Sequence, residues 1–235
     1  MNPFRILWTS AANVYDNLFP MVGMNVIWFI LTVPLVFFIL GLARLLGIIL
    51  DQAFTIFPVL AIAILMPSPA SIGIHNYASQ QVKDERVEFA LFWSGLKALW
   101  WRASVLFLIG VVADILLFVN MRFYFEAGGV LRYVAILWFY AFLLWSMMLL
   151  YMNPLLVEQS DKSFRLLIRN AFLLCLDNLV PSLIILIILF LVSVLSAGIG
   201  LLLVLVAGCY IAFAETQAVS AYLEKIRSRT AKSSK

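Results

Sequence analysis

Three ionisable side chains sit where so apolar a chain should not carry them: His75, Asp114 and Glu215. In "GVVADILLF", Asp114 falls near the middle of an uncharged run, where a carboxylate at bilayer depth costs about 3 kcal/mol. No Lys or Arg lies within the apolar runs to neutralise it. It must then be protonated, solvated in a polar cavity, or bonded to neutral donors such as Tyr140, Ser146 or Asn25. Two chemistries follow. One is a proton- or cation-linked transport site; the other, the plainer, is a hydrogen bond between helices. Glu215, in "AFAETQAVSAY", and His75, the only histidine, sit at similar depths near the ends of their apolar runs. A Glu–His pair is one reading, but the simpler one brings both to the membrane interface.

What else could do chemistry is scarce. The chain has no GxxxxGK[ST], HExxH or GxSxG, and its two cysteines and single histidine assemble no metal cluster. No enzyme activity, cofactor or metal is expected. The "Glu-Ala-Ala…Gly" loop by which ABC permeases dock their ATPase is missing as well.

The elements that position these residues must be membrane helices. Hydrophobic residues make up 65% and charged residues 12% of the chain, against roughly 25% charged in a soluble domain. The chain is expected to be all-α and polytopic, a single integral membrane domain over residues 1–235. Runs of about 20 apolar residues suffice to span. Leu18–Leu40, Phe54–Ile74, Ser104–Asn120 and Tyr133–Tyr151 supply four spans. The charge-free run from Leu179 to Ala214 is too long for one, and "SAGIG" offers a turn that makes it two. The first run is too long for a signal sequence and should be retained. Six spans are expected.

Basic residues set the orientation. Arg5, Lys83, Arg86, Lys97, Arg102, Lys162, Arg165, Arg169 and five in the tail share one side; Arg44, Arg122 and Arg132 share the other. Thirteen against three puts both termini in the cytoplasm. The net charge of +4 reflects this topology and gives no reason to expect nucleic acid. Residues 222–235, ending "EKIRSRTAKSSK", read as a basic cytoplasmic tail.

"ILMPSPASIGIHNYASQQVKDER" passes from apolar residues through Pro67 and Pro69 to a charge cluster. Prolines near a helix end release few carbonyls, which Ser68, Ser71 and the headgroup region can satisfy. It is read as a kinked span leaving the membrane; a broken helix building a transport site is the alternative. On the same side, three segments look like amphipathic helices in the bilayer interface. "FRILWTSAANVYDNLF" places Phe4, Leu7, Trp8, Ala11, Val14, Tyr15 and Leu18 on one stripe. "FALFWSGLKALWWR" concentrates Trp93, Trp100 and Trp101, which with Trp8 are the expected interfacial anchors. "FRLLIRNAFLLCL" is the third. "FRIL" and "DNLFP" recur as "FRLL" and "DNLVP", which suggests three repeats of an interfacial helix and a two-span hairpin. Gly208/Ala212 and Ala214/Ala218 are small-residue pairs that let the last span approach a neighbour closely.

"NVIWFILTVPLV", then "MPSPASIGIHNYASQQVKDERV", "FALFWSGLKALWWRA" and "YMNPLLVEQSDKSFRLLIRNAFLL" resemble the YesL-like family of small bacterial membrane proteins. The family pattern shows an Asn-x-x-Trp first span with a Leu-Pro step and a later Pro-Leu-Leu segment. "SPASIG" departs from its Pro-Ala-Thr-Ala-like turn. The resemblance covers most of the chain. It implies a six-span protein of unknown function in the bacterial cytoplasmic membrane, linked with carbohydrate uptake, and carries over no catalytic residue. The expected role is an accessory or scaffold component whose partners are the bilayer and a membrane protein such as a sugar ABC transporter. The alternative is a small-solute transporter or substrate-capture component using an intramembrane carboxylate.

Overall fold

The structure, a computed structural model, describes residues 2–45, 68–83 and 87–233, and every regular element among them is helical. The expected span Phe54–Ile74 lies outside these residues up to position 67, and Pro58 and Pro67 with it. Among the described residues, five helices are long and apolar enough to cross a membrane: Leu18–Ile39, Ala90–Ala127, Gly129–Glu158, Leu179–Ile199 and Val204–Ser228. That is the signature of an integral membrane protein.

Helix α1 (Pro3–Asp16) starts at Asn2, whose side chain accepts the Phe4 amide at 3.0 Å, with Pro3 in the first turn where no amide is needed. It stops at Asn17, which leaves helical geometry at φ −120°, ψ 37° and donates its side-chain amide back to the Asn13 carbonyl at 3.1 Å. Helix α2 (Leu18–Leu45) follows at once. The same elbow ends α6 (Phe164–Asp177): Asn178 adopts φ −135°, ψ 41° and donates to the Leu174 carbonyl at 3.1 Å, and α7 (Leu179–Ile199) follows. At each elbow the asparagine carbonyl accepts the amide four residues on, from Met21 and from Ser182. The repeated "DNL" is thus a repeated local geometry: an Asx side chain competing with the helix ladder and ending it.

Between these elbows lie α3 (Ser71–Val82), α4 (Ala90–Ala127) and α5 (Val134–Glu158). A separate interfacial helix near 88–102 is not found. Helix α4 is one unbroken element of 38 residues, about 57 Å long at 1.5 Å per residue. The reason is local: from Leu96 to Ile109 the chain holds no Gly, Pro, Asn or Asp to end a helix. Its C-terminus turns at Gly128 and Gly129, both at positive φ, into a 3₁₀ turn (Gly129–Tyr133) that leads to α5. Pro34 and Pro154 lie inside α2 and α5 without ending them.

In "SAGIG" the chain breaks at Gly200, φ 65°. A π turn (Leu203–Ala207) then leads into α8 (Gly208–Ser233). Helix α8 continues past residue 222 into the expected basic tail.

Helices α3, α5 and α8 each pack against the other two. Around them α1 packs on α8, α4 on α3, and α6 on α5. The stripe read for α1 is divided by this packing. Leu7 and Val14 are buried together with Ile6 and Ser10, while Phe4, Trp8 and Tyr15 stay exposed.

Candidate functional site

Ser71, His75 and Ser79 recur every fourth residue along α3, which sets them on one face of the helix. All three are buried, and each meets a polar group from another helix. Asn153 of α5 donates Nδ2 to Ser71 Oγ at 2.7 Å, and Ser71 Oγ donates to the Ser68 carbonyl at 2.8 Å. Ser68 Oγ is 3.0 Å from Thr32 Oγ1 of α2. Ser68 Oγ in turn accepts the Ser71 amide at 3.1 Å; the carbonyls four residues before Pro67 and Pro69 lie outside the described residues. Ser79 donates to Glu158 of α5, which also pairs with Lys83 Nζ at 3.0 Å.

His75 is the centre of this face. Its Nδ1 lies 3.0 Å from Thr216 Oγ1 and its Nε2 3.3 Å from Glu215 Oε2, both on α8. His75 is 1% exposed and Glu215 5%. Helix α3 begins within the expected run Phe54–Ile74, and His75 is the first residue beyond that run. Burial pushes the His75 imidazole down to about 3, with the Ala212 carbonyl opposing, so the ring is neutral. A neutral ring donates from one nitrogen and accepts at the other, so it can satisfy a donor and an acceptor on α8 together. The simpler sequence reading, with both residues reaching the interface, is therefore corrected. They pair in the interior because α3 and α8 pack on each other at this level.

Asp114 does not join them. Both carboxylate oxygens are buried and have no hydrogen-bond partner among the described residues. The donors proposed for it are otherwise placed. Asn25 reaches Val204 and Cys209, Ser146 bonds the Phe142 carbonyl within its own helix, and Tyr140 is exposed. A cavity of about 660 Å³ between α2 and α4 is lined by Val111 and Ile115, its walls almost wholly apolar, and Asp114 is not among its lining residues. A second, of about 670 Å³, lies among the ends of α5, α6 and α8 and is lined by Glu158, Asp161 and Asp177 among others. His75, Glu215 and Asp114 line neither.

Trp8 and Trp101 are strongly exposed, and Trp93 and Trp100 less so. Cys175 and Cys209 are free and buried. Among the described residues no three His, Cys, Asp or Glu side chains cluster to hold a metal ion.

Sequence reading missed Asn153, Thr216, Ser79 and Glu158. The four-residue spacing of Ser71, His75 and Ser79 was the available signal, since polar residues at that interval inside an apolar context mark a helix–helix seam.

Comparison with known protein families, with curated proteins and with solved structures finds no match to this chain.

Proposed function

We propose that this is a non-enzymatic protein of the bacterial cytoplasmic membrane that acts as an accessory or scaffold component of a carbohydrate uptake system, such as a sugar ABC transporter. The accessory role rests on how the polar residues are used. Asn25, the Thr32–Ser68 pair, Asn153 with Ser71, and His75 with Thr216 all bond across from one segment to another. Among the described residues, the cavities are not lined by His75, Asp114 or Glu215, and of the polar face only Glu158, held by Ser79 and Lys83, borders one. Groups committed to holding helices together leave little to bind a solute in transit. The link to carbohydrate uptake rests on the YesL-like resemblance of the sequence.

The finer architecture belongs to the same proposal. Six spans, the sixth contributed by Phe54–Ile74, and cytoplasmic termini follow from the hydropathy and charge bias. Three repeats are supported by the matched elbows at Asn17 and Asn178 and by the cyclic packing of α1 on α8, α4 on α3 and α6 on α5. In the middle unit the elbow is straightened, because no Asp-Asn pair precedes the span.

One observation favours the transporter as a second reading: the two buried oxygens of Asp114 without a partner among the described residues. In cells lacking this chain, uptake of the sugar imported by the partner transporter should fall. Supplying the Asp114→Asn variant should restore uptake as fully as the parent chain does. An Asn variant that inserts and folds normally but leaves uptake low would establish the second reading instead.

A further inference from the structure

The last span departs from α-helical spacing once, at the π turn Leu203–Ala207. In a π turn the amide of each residue reaches the carbonyl five positions back. For Cys209 that carbonyl belongs to Val204. Here a side chain of another helix stands between them. Asn25 of α2 donates Nδ2 to the Val204 carbonyl at 2.8 Å and accepts the Cys209 amide on Oδ1 at 2.9 Å. A carboxamide offers the same donor and acceptor as a peptide unit, so it bridges the opened ring and leaves neither backbone group unpaired. One turn earlier on α2, the Met21 carbonyl accepts Cys209 Sγ at 3.2 Å.

The insertion needs room, and the sequence provides it. Gly208 lies beside the wedge, where a Cβ would sit 2.9 Å from Asn25 Oδ1 and 2.5 Å from the Trp28 ring. Asn25 and Trp28, the Asn-x-x-Trp of the first span, thus act on one point of α8. A π turn carries one residue more than the α-turn it replaces. With 3.6 residues per turn, that extra residue rotates everything after it by about 100°. Glu215 and Thr216 follow within about two turns of Gly208, so the direction in which they point depends on the turn staying open.

We propose that Asn25 is a register wedge: its carboxamide holds the π turn open and so sets which face of α8 meets α3. This goes beyond the accessory reading and is independent of it, because its readout is folding and not uptake. Two changes test it together, Asn25→Leu and deletion of Leu205, each alone and combined, with thermal unfolding followed in detergent. Asn25→Leu should lower the midpoint by about 5 °C. Removing Leu205 from that variant takes out the extra residue, restores the register with a plain α-helix, and should recover at least half of the loss. The same deletion with Asn25 present should lower the midpoint. If the leucine variant does not fold, recovery of folded protein by the deletion supports the wedge, and continued failure overturns it. A leucine variant as stable as the parent, or a deletion that recovers less than half of the loss or deepens it, also overturns it.

Discussion

Gly208→Val is expected to cost about 3 kcal/mol, since overpacking a closed contact forces side chains off their minima or backbones apart. At Gly208 even the first added carbon would lie 2.5 Å from Trp28 Cδ2 and 2.6 Å from Cε3. Trp28 is only 2% exposed, so its ring has nowhere to swing. The gain from replacing a helical glycine, under about 1 kcal/mol, does not offset this. Unfolding in detergent by a denaturant series measures the difference. By contrast, glycine replaced at Gly41, where nothing among the described residues lies within 4 Å of the added carbon, should leave stability within about 0.5 kcal/mol of the parent.

Glu215→Ala is expected to lower stability by about 2 kcal/mol. The change leaves a cavity and removes the group facing His75 Nε2 at 3.3 Å, so a buried polar nitrogen loses its partner. Glu215→Gln should cost less than half as much, because a carboxamide keeps the shape and can still donate to, or accept from, the neutral ring. The double variants with His75→Ala decide whether the pair is coupled. If the two residues interact, the losses from Glu215→Ala and His75→Ala will add to more than the double variant shows, by at least about 0.5 kcal/mol. Strict additivity would mean that the contact contributes nothing.

Much of the frame could be read from composition and pattern, because helix-forming apolar runs and Asx elbows are local properties. "DNLF" and "DNLV" predicted equivalent positions, and Asn17 and Asn178 do end their helices in the same way. The turn at Gly200 was legible for the same reason. The middle segment was misread because its tryptophans suggested an interfacial helix, while nothing in its sequence forces a break from the span that follows. The wedge at Asn25 could not be read at all. "LLLVLVAG" has no residue that marks a π turn; the cause lies on α2, 179 positions away from Val204. The pairing of His75 with Glu215 depends likewise on how α3 and α8 dock, which no single stretch of sequence encodes. Asp114 was legible as a candidate, but the donors suggested for it were chosen by depth alone, and each has other surroundings.

On the proposed reading, the buried polar residues join helices and do not line a passage. Cysteine accessibility tests this most directly. In a background with Cys175 and Cys209 replaced by alanine, single cysteines would be placed at Ser71, Asn153 and Thr216, one each on α3, α5 and α8. Intact cells and inverted vesicles would then be treated with a small, charged, membrane-impermeant thiol reagent. Side chains this deeply buried, at 7%, 0% and 1% exposure, should react from neither side while the protein remains folded. Rapid labelling at two or more of the three positions, slowed by an added sugar, would reveal a water-filled route through the junction and contradict the account.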